Sequence, residues 1–448
     1  MERSVRWVRW FALGAVLTLL ATACGGDDEG GGGTTGGATA ATGEAPDLTG
    51  QTVEVAATWT SAEKDNFEQV LANFEDQTGA DVRFLSAGDD IAAFLGPKIE
   101  GGQPPDVAIL PQPGVLNSFV EQGDLLPIED FAGDVVDENY APGARDVGSV
   151  DGTLYAVWFR AAQKSTVWYN VNVFNDAGVE PPADWDALES SAQTISDFGV
   201  TPYSLGAGDG WTLSDLFENI YIRTAGPDMY DQLATHEIPW TDQSVKDALG
   251  VMADIVGDDD LIAGGVSGAL QTDFNGSVTQ VFADPPDGAL IFEGNFVAGV
   301  ITGETQAKVG TDADFFDFPS IDGSPPAVVG GGDLAVLLKD SEGGQALIRY
   351  LATPEAAEIW AGLGGYISPN KNVPVTAYTD PVDKRAAEAL INAGDSVKYD
   401  LSDLQPTEFG ATTGQGIWGI LQEFMQNPSD VDGTAQQLED AANAAYGQ

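Results

Sequence analysis

The chain contains one cysteine, Cys24, and one histidine, His236, in 448 residues. That scarcity excludes a disulfide framework, a Cys/His zinc centre and a thiol nucleophile paired to a base. A Ser-His-Asp triad would have to use His236, which lies in the polar stretch ATHEIPW and reads as a lone surface histidine. Cations are scarce too: 18 Lys and Arg face 70 Asp and Glu, a formal net charge of −52. Phosphate recognition needs clustered Lys and Arg, so nucleic acid is excluded as a partner and anionic substrates are disfavoured. Such a field keeps a chain soluble and favours a monomer. The near-motif GGVSGA at 264–269 fails as a nucleophile elbow, because Ala269 takes the last glycine position. Two acidic groups, Asp254 with Asp258, Asp259 and Asp260, and Asp312 with Asp314 and Asp317, lack the spacing of a calcium loop and read as solvated faces. No cofactor, no metal and no catalytic residue is expected.

What is present begins with a leader. Arg3, Arg6 and Arg9 precede the apolar run FALGAVLTLLA and small residues before Cys24, the pattern of a secretory signal over residues 1–23. The run is too short for a permanent membrane span. LLATAC followed by Gly25 resembles the lipobox of bacterial lipoproteins, with Leu20 one place further from the cysteine than is usual. The resemblance implies a lipid-carrying Cys24 at the mature N-terminus, with more than one acyl chain giving stable anchoring. Residues 24–50 are rich in Gly, Thr and Ala and read as a flexible linker from that anchor.

The rest reads as globular, with 43% apolar and 9% aromatic residues and a length suited to two or three domains. Strand and helix patterns alternate: 51–59, 80–85 and 106–110 as strands, 62–78 and 91–101 as helices. Alternation of this kind gives an α/β class with mostly parallel sheets, whose ligands sit beyond the carboxyl ends of the strands. The stretch Tyr155–Phe174 (YAVWFRAAQKSTVWYNVNVF) is too apolar for a loop, reads as two strands, and carries Arg160 and Lys164. We read it as the crossing from one lobe to another, with a ligand cleft between them. Further on, a helix from Thr212 follows the loop GAGDGW, Ala327–Leu338 is a glycine-broken strand pair, and Gln415–Met425 and Gly433–Ala445 are closing helices.

Four segments carry a family resemblance: NFEDQTGADVRF, PPDVAILPQPGVLNSFVEQGDLLPIED, DGTLYAVWFRAAQKSTVWYNVNVFNDAG with PPADWDAL, and LATPEAAEIWAGLGGYISPN. In this order, over nearly all of 51–448, the chain resembles the extracellular solute-binding protein family 1 of bacterial ABC importers, the group of maltose- and α-glucoside-binding proteins. The resemblance implies a type II periplasmic-binding-protein-like fold of two α/β lobes joined by a multi-strand hinge. Lobe 1 would hold 51–160 and 325–372, and lobe 2 would hold 161–324 and 373–448. It implies a neutral sugar or oligosaccharide as ligand, ABC permease transmembrane subunits as partner, and a place on the outer face of the cell membrane.

Sugars present apolar C–H faces and a rim of hydroxyls, so aromatic platforms and charge-assisted hydrogen bonds of about 1.5–3 kcal/mol each hold them. Trp418, near the start of a late helix, aligns with a stacking tryptophan of the family and equally fits a core position. Trp211, in a Gly-rich loop, reads as a platform. Trp59 ends the first strand, with Thr60 and Glu63 beside it. Asp89, with Asp90, and Gln112 follow the next strands' carboxyl ends. Glu293 and Asn295 occupy the loop where the family often has a ligand wall, with Phe296 or, in the other register, Asn295 in place of its tryptophan. Gly332 and Asp333 would let backbone approach the ligand, or form a bulge at the hinge. Arg160 and Tyr366 complete the expected set. The rival reading is a lipid-anchored glycoside hydrolase using paired carboxylates, which residue types alone leave open.

Overall fold

A computed structural model of the chain describes residues 45–88, 90–393 and 397–447. The expected signal segment, Cys24 and Asp89 lie outside the described residues. So does the expected linker up to Glu44. Its last residues do not behave as a linker: Leu48 is buried, and its N–H donates to the Thr78 carbonyl.

Twelve strands build the body: β1 Thr52–Ala57, β2 Asp81–Ser86, β3 Val107–Leu110, β4 Ser149–Val150, β5 Thr153–Leu154, β6 Ala156–Gln163, β7 Thr166–Asn170, β8 Thr201–Tyr203, β9 Gly288–Phe292, β10 Ala313–Asp317, β11 Val328–Leu337 and β12 Val397–Tyr399. The first sheet runs β12-β11-β3-β1-β2, with β6 along the other edge of β11. The second runs β10-β7-β9-β8. Strands linked by a helical crossover are parallel, as β1 is with β2 and β3. Strands that return at the crossings pair antiparallel, as β11 does with β3 and β6 and β7 does with β9 and β10. Each sheet is therefore mixed, because long crossovers and direct returns coexist.

Burial follows the strand period of two. Val53, Val55 and Ala57 face one apolar layer, and Ala56 faces the other. The helix Ser61–Thr78 buries Phe67, Val70, Leu71 and Phe74 on one stripe over the first sheet.

The chain leaves the first sheet at Gln163 and enters the second at Thr166, so Lys164 and Ser165 form the crossing. It returns between Asp317 and Val328. The expected lobe boundary at 372/373 precedes β12, which still pairs with β11, so the last passage follows Tyr399. The expected strand pair at 327–338 is one strand, β11, with a register shift between Asp333 and Leu334. Ser165 ties these passages together: its hydroxyl donates to Asn219 Oδ1 at 2.5 Å and accepts from Val329 N at 2.8 Å.

Candidate functional site: an aromatic cleft with two ion-pair nodes

The strands' carboxyl ends open on a cavity of about 310 Å³. From the first sheet's side come Trp59, Glu63, Gln112, Arg160, Gly332 and Asp333, and from the second's side Trp211 and Trp418. Eight of the twelve expected residues thus line one space.

The aromatic residues differ in what they can offer. Trp211 is the first residue of the helix Trp211–Ala225, not part of the loop expected for it, and its ring is half-buried against Phe274 at 5.2 Å and Phe296 at 6.0 Å. Trp418 is 2% exposed, on the helix Gly416–Gln426, and its indole N–H has no acceptor. Trp59 is wedged edge-on between Phe67 and Trp360 at 4.9 and 4.8 Å. Trp211 is the one of the three with an appreciable free face.

Arg160 forms the first charged node. Its Nη1 lies 2.7 Å from Glu63 Oε1 and 3.6 Å from Asp333 Oδ2, its Nη2 donates to the Gly365 carbonyl at 3.0 Å, and its guanidinium sits 5.0 Å from the Trp360 ring. Burial works against its charge, but Glu63 and Asp333 outweigh burial and hold its pKa above the ordinary value. Burial pushes Asp333 up to about 7, against the pull of Arg160. Gly332 beside it has φ +150°, and a Cβ there would collide with the Arg160 carbonyl oxygen and the Trp158 indole. The need for glycine thus comes from the close pass of β6 rather than from the approach of a ligand.

Lys164 forms the second node, one turn of chain further along the crossing. Its Nζ binds Asp400 and lies 3.1 Å from Asp215 Oδ1 and 3.9 Å from Asp403 Oδ2, with the Trp211 ring at 5.8 Å. Behind them Glu218 Oε2 accepts from Tyr230 Oη at 3.1 Å and from Leu401 N at 2.5 Å. Burial raises Asp215 to about 8, and burial with the neighbouring Asp400 raises Glu218 and Asp403 well above the usual carboxylate range. For Asp400 burial is outweighed by Lys164 and by hydrogen bonds from Ser402 and Asp403 N, which hold it low.

Three expected residues do not reach the cavity. Tyr366 is fully buried, donates its hydroxyl to the Phe159 carbonyl at 2.6 Å and stacks on Trp360. Asn295 Oδ1 accepts from Gln163 N at 2.9 Å, which fixes the end of β6. Glu293 is buried behind the wall, raised by burial and by Asp215. The next aromatic along that loop, Phe296, takes the cavity position. His236 is not a surface residue: its ring packs 5.0 Å from Tyr446, with Nε2 3.3 Å from Glu439.

Lys164, Asp209, Asp215, Asp273, Phe274, Asn275 and Asp403 line the cavity without having been selected from the sequence. Lys164 had a signal, as a rare cation four residues after Arg160. Asp215 had one too, one helical turn after Trp211. Asp209 and Asp273 carry none, since their carboxylates accept from backbone N–H groups of Phe274 and Gly276 like many acids in turns and caps.

Residues 58–358 match the family model described as bacterial extracellular solute-binding protein. The chain is 34% identical over 380 residues to the osmoprotective compounds-binding protein GgtB of Synechocystis sp., covering 83% of this chain and 87% of that protein. It is 33% identical over 403 residues to the alpha-glucosides-binding periplasmic protein AglE of Rhizobium meliloti, covering 86% of each. Among solved structures, the bacterial solute receptor AcbH superposes with a TM-score of 0.78 at 20% identity, over 88% of this chain and 99% of that one. A chitin oligosaccharide binding protein gives 0.73 at 21% identity, again over 88% and 99%. These likenesses carry the two-lobed, type II binding-protein fold and an extracytoplasmic place of action. The chain belongs to the bacterial extracellular solute-binding protein family.

Proposed function

We propose that the chain is a carbohydrate receptor that captures a neutral saccharide, of the α-glucoside or short oligosaccharide class, and delivers it unchanged to an ABC permease. The observation that carries this reading is the joining, in one cavity, of a free tryptophan face with two hydrogen-bonding ion-pair nodes. A pyranose ring can lie on Trp211 while its hydroxyls meet Arg160 with Asp333 and Lys164 with Asp403. Such charged partners have fixed positions and strong, directional hydrogen bonds, which suits a polyhydroxyl ligand. GgtB and AglE, named for osmoprotective compounds and alpha-glucosides, support a small neutral ligand.

Capture works by closure of two lobes about the crossings, a hinge motion of the kind described for periplasmic binding proteins. Lobe 1 consists of about 51–160 with 325–372, and lobe 2 of about 161–324 with 373–448, the last boundary blurred by β12. Closure is supported by the close pass of helix Ser61–Thr78 over helix Val297–Glu304, where a Cβ on Gly303 would strike Ala62. The ligand favours the closed state by its differential affinity for that state. Lipid on Cys24 holds a monomeric receptor at the outer face of the membrane, beside its permease.

A thermal-shift screen of maltose, trehalose, sucrose and maltodextrins, followed by small-angle scattering, tests the reading. A raised Tm, a smaller radius of gyration and recovery of intact sugar are expected. Cleavage of the sugar would make the protein a glycoside hydrolase, and the absence of compaction at saturation would remove the closure mechanism.

A further inference from the structure

Behind the cleft, Asp215 and Glu218 from one turn of the helix Trp211–Ala225 meet Asp400, just past β12. One carboxylate oxygen from each lies within 4.8 Å of the others, and all three residues are buried. Lys164 covers only one edge of the group. It binds Asp215 through Oδ1 and binds Asp400, while Asp215 Oδ2 and Glu218 Oε1 have no hydrogen-bond partner and no access to water. Once these acids ionise, the count of charge points the same way. Asp403 adds a fourth carboxylate near Lys164, and Lys164 is the one cation paired with any of them among the described residues. A buried carboxylate without compensation costs several kcal/mol. Two buried, unpartnered carboxylate oxygens mark a place for a further positive charge.

We propose that Asp215, Glu218 and Asp400 form a binding site for a hard divalent cation of the calcium or magnesium class. Oxygen-only donors select such ions over softer metals. The ion would sit against Asp215 Oδ2 and Glu218 Oε1, with further oxygens from Asp400 and water. Its ligands join a helix packed on the second sheet to the segment that follows the first sheet's last strand. The bound ion would therefore stiffen that passage between the lobes. It would stabilise the fold in the absence of any sugar, so the site stands or falls independently of the receptor reading.

The test uses the full chain stripped with chelator and exchanged into chelator-free buffer. Calcium chloride and magnesium chloride are titrated at constant ionic strength while Tm is followed, with native mass spectrometry for stoichiometry. Expected are one ion per chain, a saturable rise in Tm, and affinity weakened at least about tenfold in Glu218→Gln. Asp258→Asn/Asp259→Asn, in an exposed acidic group, controls for diffuse binding to the acidic surface and should leave the one-to-one event unchanged. If Glu218→Gln does not fold, Asp215→Asn provides the same comparison. The proposal is overturned if neither ion raises Tm, or if both variants bind as the wild type does. It is also overturned if acidification stabilises the stripped wild type more than the stripped Glu218→Gln variant while neither ion raises Tm, which would make protons the occupants.

Discussion

Arg160 and Lys164 stand four residues apart, one in β6 and one at the crossing that follows it, yet their surroundings are built differently. Arg160 meets two carboxylates, Glu63 and Asp333, and spends a further donor on the Gly365 carbonyl beneath a shell of aromatic rings. Lys164 meets three carboxylates, with Glu218 behind them and Glu293 close enough to feel its charge. The planar fork of arginine suits a fixed, nearly balanced node on the wall of the cleft. The compact ammonium of lysine serves as a point charge at the centre of an acidic surplus. The comparison teaches that the cleft is held by paired charge on one side, while its other side crowds acids that burial keeps protonated unless a further positive species offsets their charge.

The largest test of this contrast is Lys164→Met, which leaves Asp215, Asp400 and Asp403 buried without their cation. Urea unfolding should show a loss of about 3–5 kcal/mol. Recovery of part of that loss on adding Asp400→Asn would assign it to uncompensated charge rather than to packing. Arg160→Lys keeps the charge and removes the fork, so about 1.5–3 kcal/mol should be lost together with sugar affinity. An Arg160→Lys variant with wild-type stability would mean that the node is only a point charge.

A comparable effect, spread over several pH units, reports on the Arg160 node. Burial raises Asp333 from an ordinary 3.8 to about 7, so between these values the folded chain binds more protons than the unfolded one. Its contribution to stability is present below the lower value and declines as pH rises through the upper one. Asp383, which accepts from Gly365 N and is also raised to about 7, acts in the same direction. Asp333→Asn should flatten the fall of stability over this window by at most one proton, about 1.4 kcal/mol per pH unit. An unchanged slope in chemical denaturation across pH 4–7 would remove Asp333 from the account. Smallest is Trp211→Ala, expected to weaken sugar binding by about 0.5–1.5 kcal/mol in calorimetry beyond the loss of contact area. Its unfolding midpoint should stay closer to wild type than that of Trp418→Ala, because Trp418 is buried and Trp211 only half so.

Much of this architecture was legible from local pattern. The α/β alternation, the helix stripe at Phe67, Val70, Leu71 and Phe74, and a crossing within Tyr155–Phe174 are short-range signals that chain order preserves. Tyr366, Asn295 and Glu293 were misplaced because the residue type that can hold a sugar hydroxyl can equally fix a backbone or fill a wall. Asp403, like Asp209 and Asp273, was missed because one carboxylate among 70 acids has no local mark.

By itself the sequence determined the class of secondary structure and left no residues for thiol–base or Cys/His zinc chemistry, since these depend on residue inventory and on periods of two and 3.6, while the order of its quoted segments carried the family resemblance. Only the tertiary structure decided which charges share a burial environment. Lys164 and Asp400 are 236 positions apart, and the ladder of β11 with β6 and β12 brings their segments together. Charge pairing inside a protein depends on distance and on exclusion of water, and neither quantity exists until the sheets have formed.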